Sequence, residues 1–200
     1  MRALLLAMLA AAAPAAAHAQ ALEGVSVFAG YRFGGELDDV ATSRSWEASE
    51  GSSFALALDF AIDHQRQYQL IVSHRNSTLQ ATGFLSPVGD IGLRITYFQF
   101  GGVYHLEEVG RGPYAVGGVG LTHFDPEQAG LSAETRFSLN LGFGYSFPLG
   151  KGMALKLEGR GYVTLVDSSS SFLCSGGCVV QIQGDTFGQA EVLAGVAVRF

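Results

Sequence analysis

Long stretches of this chain alternate between bulky apolar residues and small or polar ones, and that period of two constrains the fold more than any other feature. From Ser53 to Ile62 the even positions are Phe54, Leu56, Leu58, Phe60 and Ile62, against Ser53, Ala55, Ala57, Asp59 and Ala61. From Arg136 to Phe147, six bulky residues (Phe137, Leu139, Leu141, Phe143, Tyr145, Phe147) oppose Arg136, Ser138, Asn140, Gly142, Gly144 and Ser146. Further on, Leu155, Leu157, Val163 and Leu165 oppose Lys156, Glu158, Arg160 and Thr164, and the run ending at Phe200 sets Ala190, Val192, Ala194, Val196 and Val198 against Gln189, Glu191 and Arg199. Successive side chains of an extended strand point to opposite faces, so each run is a strand with one apolar face.

Residues 1–19 have the layout of a secretory signal peptide: Met1-Arg2, an apolar stretch from Ala3 to Ala17, and the small-x-small triplet Ala17-His18-Ala19. Cleavage after Ala19 leaves 20–200 as one domain, and no Cys at the cleavage site offers a lipoprotein anchor. Removing Arg2 with the leader leaves 11 basic against 18 acidic side chains, a net charge of −7 that disfavours nucleic acid as a partner. The mature sequence has no run of uncharged apolar residues long enough for a helical membrane span.

An exported chain of alternating strands is either a periplasmic sandwich or a transmembrane β-barrel. Side-chain size separates them, because the aromatics take the apolar face while Gly and Ser alternate with charges on the other, which is what a narrow polar lumen requires. Eight such segments are predicted, at about 24–34, 52–62, 67–79, 93–106, 113–124, 135–147, 153–166 and 187–200. In the fourth, Phe98, Phe100, Tyr104 and Leu106 are placed toward lipid and Tyr97, Gln99 and His105 inward; in the fifth, the run Gly117-Gly118-Val119-Gly120 blurs the period. Connections alternate. Those at Asp63–Arg66, Glu107–Gly112 and Pro148–Gly152 are short, and those at Gly35–Gly51, Gln80–Gly92, Asp125–Glu134 and Asp167–Thr186 are long. The expectation is an all-β, eight-stranded antiparallel transmembrane up-and-down barrel with short periplasmic turns and long extracellular loops.

The Gly-rich run Pro113-Tyr114-Ala115-Val116-Gly117-Gly118-Val119-Gly120 and the terminal Val196-Ala197-Val198-Arg199-Phe200 make the chain resemble the eight-stranded outer-membrane barrels of the outer-membrane protein A and X type, often described as porin-like. The resemblance implies that Phe200, Val198 and Val196 are the signal read by the barrel-assembly machinery, and that the protein resides in the outer membrane of a Gram-negative-type bacterium, in contact with its lipid and lipopolysaccharide, as a monomer.

Inward-facing charges by this register are Arg32, Asp59, Arg75, Arg136, Lys156, Glu158, Arg160, Glu191 and Arg199. They read as a hydrogen-bonded ion network plugging a barrel too narrow for an open channel, with a gated low-conductance pore as the alternative. Glu191 is expected to pair with Arg160 on the neighbouring strand. Cys174 and Cys178, which bracket Ser175-Gly176-Gly177 in the longest loop, read as a disulfide, since no further metal ligand stands near. The outer loops are acidic, which serves solvation or divalent bridging to lipopolysaccharide. No cofactor motif or metal spacing is found. His74 and Ser77 superficially resemble the pair of outer-membrane lipid A deacylases but point to opposite faces, so no catalytic residues are assigned. A structural or surface-interaction protein working through its loops is the leading expectation, with a channel for small solutes or hydrophobic compounds as the alternative.

Overall fold

The computed structural model describes residues 21–39, 44–82, 91–128, 130–166 and 186–200. The leader 1–19 and the pair Cys174 and Cys178 lie outside the described residues. Ten strands follow in chain order: β1 (Leu22–Gly34), β2 (Glu36–Asp39), β3 (Arg44–Ala48), β4 (Gly51–Ala61), β5 (Arg66–Thr82), β6 (Ile91–His105), β7 (Gly112–Pro126), β8 (Glu134–Gly150), β9 (Met153–Leu165) and β10 (Thr186–Arg199). Eight of them form a closed antiparallel ring, β1-β4-β5-β6-β7-β8-β9-β10, sealed by β10 running back along β1 from Gly24↔Arg199 to Gly34↔Gln189. Each of the eight predicted segments overlaps one of these strands, with bounds within three residues.

The remaining two strands correct the expectation of a plain first outer loop. β2 and β3 form a hairpin, and β3 pairs with the upper part of β5 from Ala48↔Leu79 to Ser45↔Thr82. The wall on this side therefore rises above its neighbours. β5 and β8, each of 17 residues, are roughly 56 Å long at about 3.3 Å per residue, well beyond a hydrocarbon core of about 30 Å even when tilted.

Outward-facing residues mark the lipid belt. Val72, Phe98, Leu121 and Phe137 lie side by side on β5 to β8, and one step toward the outside comes a polar row, His74↔Thr96↔His123↔Thr135. Within that row His74 Nδ1 is 2.8 Å from Thr96 Oγ1 and His123 Nδ1 is 2.9 Å from Thr135 Oγ1. The next row contains Arg94, which meets Asp125 at 3.0 Å.

The short turns follow local chemistry. Lys151 and Gly152, both at positive φ (53° and 74°), link β8 to β9 as a two-residue turn whose twist matches the strands. Between β4 and β5, Asp63 Oδ1 accepts from the amides of Gln65 and Arg66 at 2.9 and 2.8 Å, and its Oδ2 takes Arg66 Nε at 2.7 Å. These bonds, that to the Arg66 side chain first, pull the Asp63 carboxyl down to about 2. In the turn from β6 to β7, Val109 folds back into the periplasmic mouth and is buried.

The glycine run of β7 has a definite register. Gly118 and Gly120 share the inward parity of Val116 and Thr122, while Gly117 and Val119 face out. A Cβ on Gly120 would stand 1.9 Å from the Phe98 carbonyl oxygen, whereas one on Gly117 would come no nearer than 3.5 Å to anything. Gly120→Ala is therefore expected to cost roughly 1–3 kcal/mol in urea unfolding from detergent, with Gly117→Ala close to neutral. Asp63→Asn keeps an acceptor for the two amides but loses the ion pair. Since the folded pKa is the depressed one, the wild-type advantage over Asp63→Asn should be full above pH about 4 and vanish as pH falls toward 2, in unfolding followed against pH.

Candidate functional site: the barrel interior

The interior is layered. At the extracellular end Leu79, Leu93, Ile95, Phe124, Val166 and Phe187 form an apolar cap, with Phe124 and Phe187 edge to face at 5.5 Å. Two stacked tyrosines, Tyr97 and Tyr162, close its underside with ring centroids 4.1 Å apart. A polar lumen was expected throughout; the cap departs from that because inward positions near the extracellular ends of β6, β7 and β10 are themselves apolar. A second apolar cluster, Phe28, Ala55, Ala57, Ile71 and Leu193, lines one wall lower down.

Beneath the tyrosines lies Arg32, its guanidinium carbon 4.7 Å from the Tyr97 ring centre and 5.4 Å from that of Tyr162. Arg32 donates to Glu191 Oε1 from Nη2 at 2.8 Å and Nε at 3.2 Å, and also reaches Ser73 Oγ. Glu191 further accepts from Ser73 Oγ and Tyr162 OH, both at 3.0 Å. Glu191 does lie opposite Arg160 in register, but it lies equally opposite Arg32, and its carboxylate goes to Arg32. Arg160 is held elsewhere: Nε donates to Glu158 at 2.7 Å, Nη1 to Asn140 at 3.1 Å and Nη2 to Gln69 at 2.8 Å. Tyr114 OH donates to Glu158 at 3.0 Å.

Nearer the periplasm Lys156 Nζ meets Asp59 Oδ2 at 3.3 Å, and Asp59 also accepts from Gln69 at 2.8 Å and Ser26 at 3.2 Å. The space bounded by Asp59, Gln67, His105, Lys156 and Arg199 amounts to about 10 Å³, room for no more than one water.

Two of the predicted interior charges stand apart from these tiers. Arg136 is half-buried at the extracellular rim and bonds Glu134 at 2.8 Å. Arg199 has inward parity but is exposed at the periplasmic rim, where the strand runs out, and Nη1 bonds the Val109 carbonyl. Arg75 is buried, donating from Nη1 to the Arg32 carbonyl at 2.9 Å. Val196 and Val198 face lipid, and Phe200 is exposed with its amide on the Glu23 carbonyl at 2.9 Å. His74 is outside and Ser77 inside. Tyr97 and Gln99, expected to point inward, are buried there; residues missed at the sequence level are Tyr114, Tyr162 and the neutral bridges Ser73 and Gln69. Tyr162 has the parity of Lys156, Glu158 and Arg160, so parity was the signal that would have found it.

Three ion pairs held this deep depend on both partners. Removing one partner of a buried pair costs about 3–5 kcal/mol because the other charge is left uncompensated. Glu191→Leu is expected to fall in that range in urea unfolding. Arg32→Met with Glu191→Leu should restore part of the loss, and Arg160→Met with Glu191→Leu should restore less.

The family model for the outer membrane protein beta-barrel domain matches residues 3–200. The fold is similar to the crystal structure of Neisserial surface protein A, with a TM-score of 0.60 and 14% identity over 88% of this chain and 96% of that one. It is also similar to outer membrane protein AlkL in lipid bilayers (0.57, 14%, 90% of each chain) and to OprG from Pseudomonas aeruginosa (0.55, 10%, 90% and 96%). Identities this low speak for the fold alone, and no curated protein matches the sequence significantly. With a family match spanning nearly the whole chain and a closed eight-stranded ring, the protein belongs to the outer membrane protein β-barrel domain family and is a barrel of the Gram-negative outer membrane.

Proposed function

We propose that this protein is a closed barrel with a structural or surface-interaction role, carried by the hairpin and connections on its extracellular side. The observation behind this reading is the stack of ion pairs Arg32–Glu191, Arg160–Glu158 and Lys156–Asp59 beneath an apolar cap. A solute moving down the axis would have to part each pair and expose a buried charge. That barrier is several kcal/mol per pair, and nothing in the ordinary rotamer motion of packed side chains offsets it. An eight-stranded ring is just wide enough for its inward side chains to fill it.

The rest of the reading follows from what an outer-membrane barrel needs. Residues 1–19 direct export, the strand ending Val196, Val198 and Phe200 is read by the assembly machinery, and the acidic outer connections face lipopolysaccharide. A disulfide between Cys174 and Cys178 shapes the longest loop. No residue is assigned a catalytic role.

Reconstitution in planar bilayers tests the closed lumen. The expected record is silent at moderate voltage. Discrete conductance steps, abolished by crosslinking across the lumen, would transfer the protein to the small-solute channels.

A further inference from the structure

The fully buried charged side chains among the described residues are four cations, Arg32, Arg75, Lys156 and Arg160, and three anions, Asp59, Glu158 and Glu191. Each anion holds one of the other three cations, as described above, and Arg75 is left over. Arg75 is 1% exposed, and its Nη1 is anchored on the Arg32 carbonyl, which sets the plane of the guanidinium. Its Nε and Nη2 have no hydrogen-bond partner among the described residues. Those two N–H groups lie on one edge and point in parallel, the fork that takes two oxygens of a carboxylate or phosphate at once.

The surroundings of that edge suit an anion. A Cβ on Gly51 would stand 3.6 Å from Nη2 and 3.8 Å from Nε, so the fork faces the side on which residue 51 has no side chain. Gly51 is half-exposed at the extracellular start of β4, directly opposite Arg32. Ser53, one register step beyond the pair Phe54↔His74 and so across from Arg75, is fully buried with its hydroxyl unpartnered, and Arg32 Nη1 is unpartnered as well. Arg75, Arg32 and Ser53 of one wall thus each carry an unused N–H or O–H donor, and no carboxylate among the described residues is bonded to the Arg75 edge. The carboxylates whose charge reaches Arg75 are bonded elsewhere, Glu50 to the Tyr31 hydroxyl and Glu191 to Arg32, Ser73 and Tyr162, and a buried guanidinium edge with no oxygen of its own is a costly arrangement in a protein interior.

We propose that the Nε and Nη2 edge of Arg75, beside Gly51, is a binding site for a small oxoanion, a carboxylate or phosphate group that presents two oxygens. One negative charge balances the interior, and the depth of Arg75 selects a small free anion over a group tethered to a lipid or polymer. The site is reached from the extracellular side and is independent of whether the lumen conducts.

The test uses the full barrel folded in detergent, titrated with ¹³C-formate by NMR and unfolded in urea in sodium formate or sodium phosphate against sodium chloride at equal ionic strength. Saturable binding and a saturable rise in the unfolding midpoint are expected. Arg75→Lys keeps the charge but loses the fork, and should weaken binding at least about tenfold, the worth of one charge-assisted hydrogen bond. Gly51→Ala, at a backbone angle any residue adopts, should weaken it by crowding the fork, and it decides the matter if Arg75→Lys does not fold. The proposal is overturned by a midpoint that follows ionic strength alone, as it would with water only at the fork. Binding unchanged in Gly51→Ala or in folded Arg75→Lys would overturn it too.

Discussion

Everything in this molecule depends on the pairing of β10 with β1. In hydrocarbon a backbone amide or carbonyl has no water to turn to, and each unpaired group costs several kcal/mol. An open sheet of eight strands would leave two such edges. The unbroken ladder from Gly24↔Arg199 to Gly34↔Gln189 removes both, and it brings the first and last strands of the chain together at the periplasmic end, where the Phe200 amide meets the Glu23 carbonyl.

Closure also dictates what the interior must contain. Once eight strands meet, their inward side chains share a cylinder too narrow for bulk water. Charged groups there can survive only by pairing, and the tiers do this through a few neutral intermediaries. Gln69 bridges Asp59 and Arg160, while Ser73 and Tyr162 complete the shell of Glu191. The apolar cap above and the cluster around Phe28 and Leu193 fill the remaining section with groups that need no partner. Among the described residues each buried carboxylate thus holds a cation, and Arg75 is the buried cation that no carboxylate bonds.

Glycines allow the adjoining backbones of β6 and β7 to run close. At Gly120, and likewise at Gly101, where a Cβ would meet the Gly117 carbonyl oxygen at 2.0 Å, the facing backbone occupies the place a side chain would need. The same run that obscures the period in the sequence is thus what lets the backbones of β6 and β7 approach this closely. Outside, the row His74, Thr96, His123 and Thr135 ends the apolar belt at one height across four strands, so the position of the barrel in the membrane is written on its surface.

Parity made much of this legible. Alternation alone places Asp59, Lys156, Glu158, Arg160 and Glu191 inward and Phe137, Leu157 and Val196 outward, because the face of a residue in a strand depends only on whether its number is odd or even. Strand count followed from the alternation and the spacing of the turns. Partner choice did not follow, because it depends on height, and height is a product of register and tilt summed around the ring. Glu191 sits opposite both Arg160 and Arg32, and goes to Arg32 because Arg160 is already held by Glu158, Asn140 and Gln69. Parity could not foresee the β2–β3 hairpin, whose pairing is decided by how far β5 projects above the membrane, nor the burial of Val109 in the periplasmic mouth. The sequence by itself determined which residues face lipid and which face inward, since that is a local property of extended backbone; only the closed ring decided which inward charges meet, since that requires strands distant in sequence to come to one level.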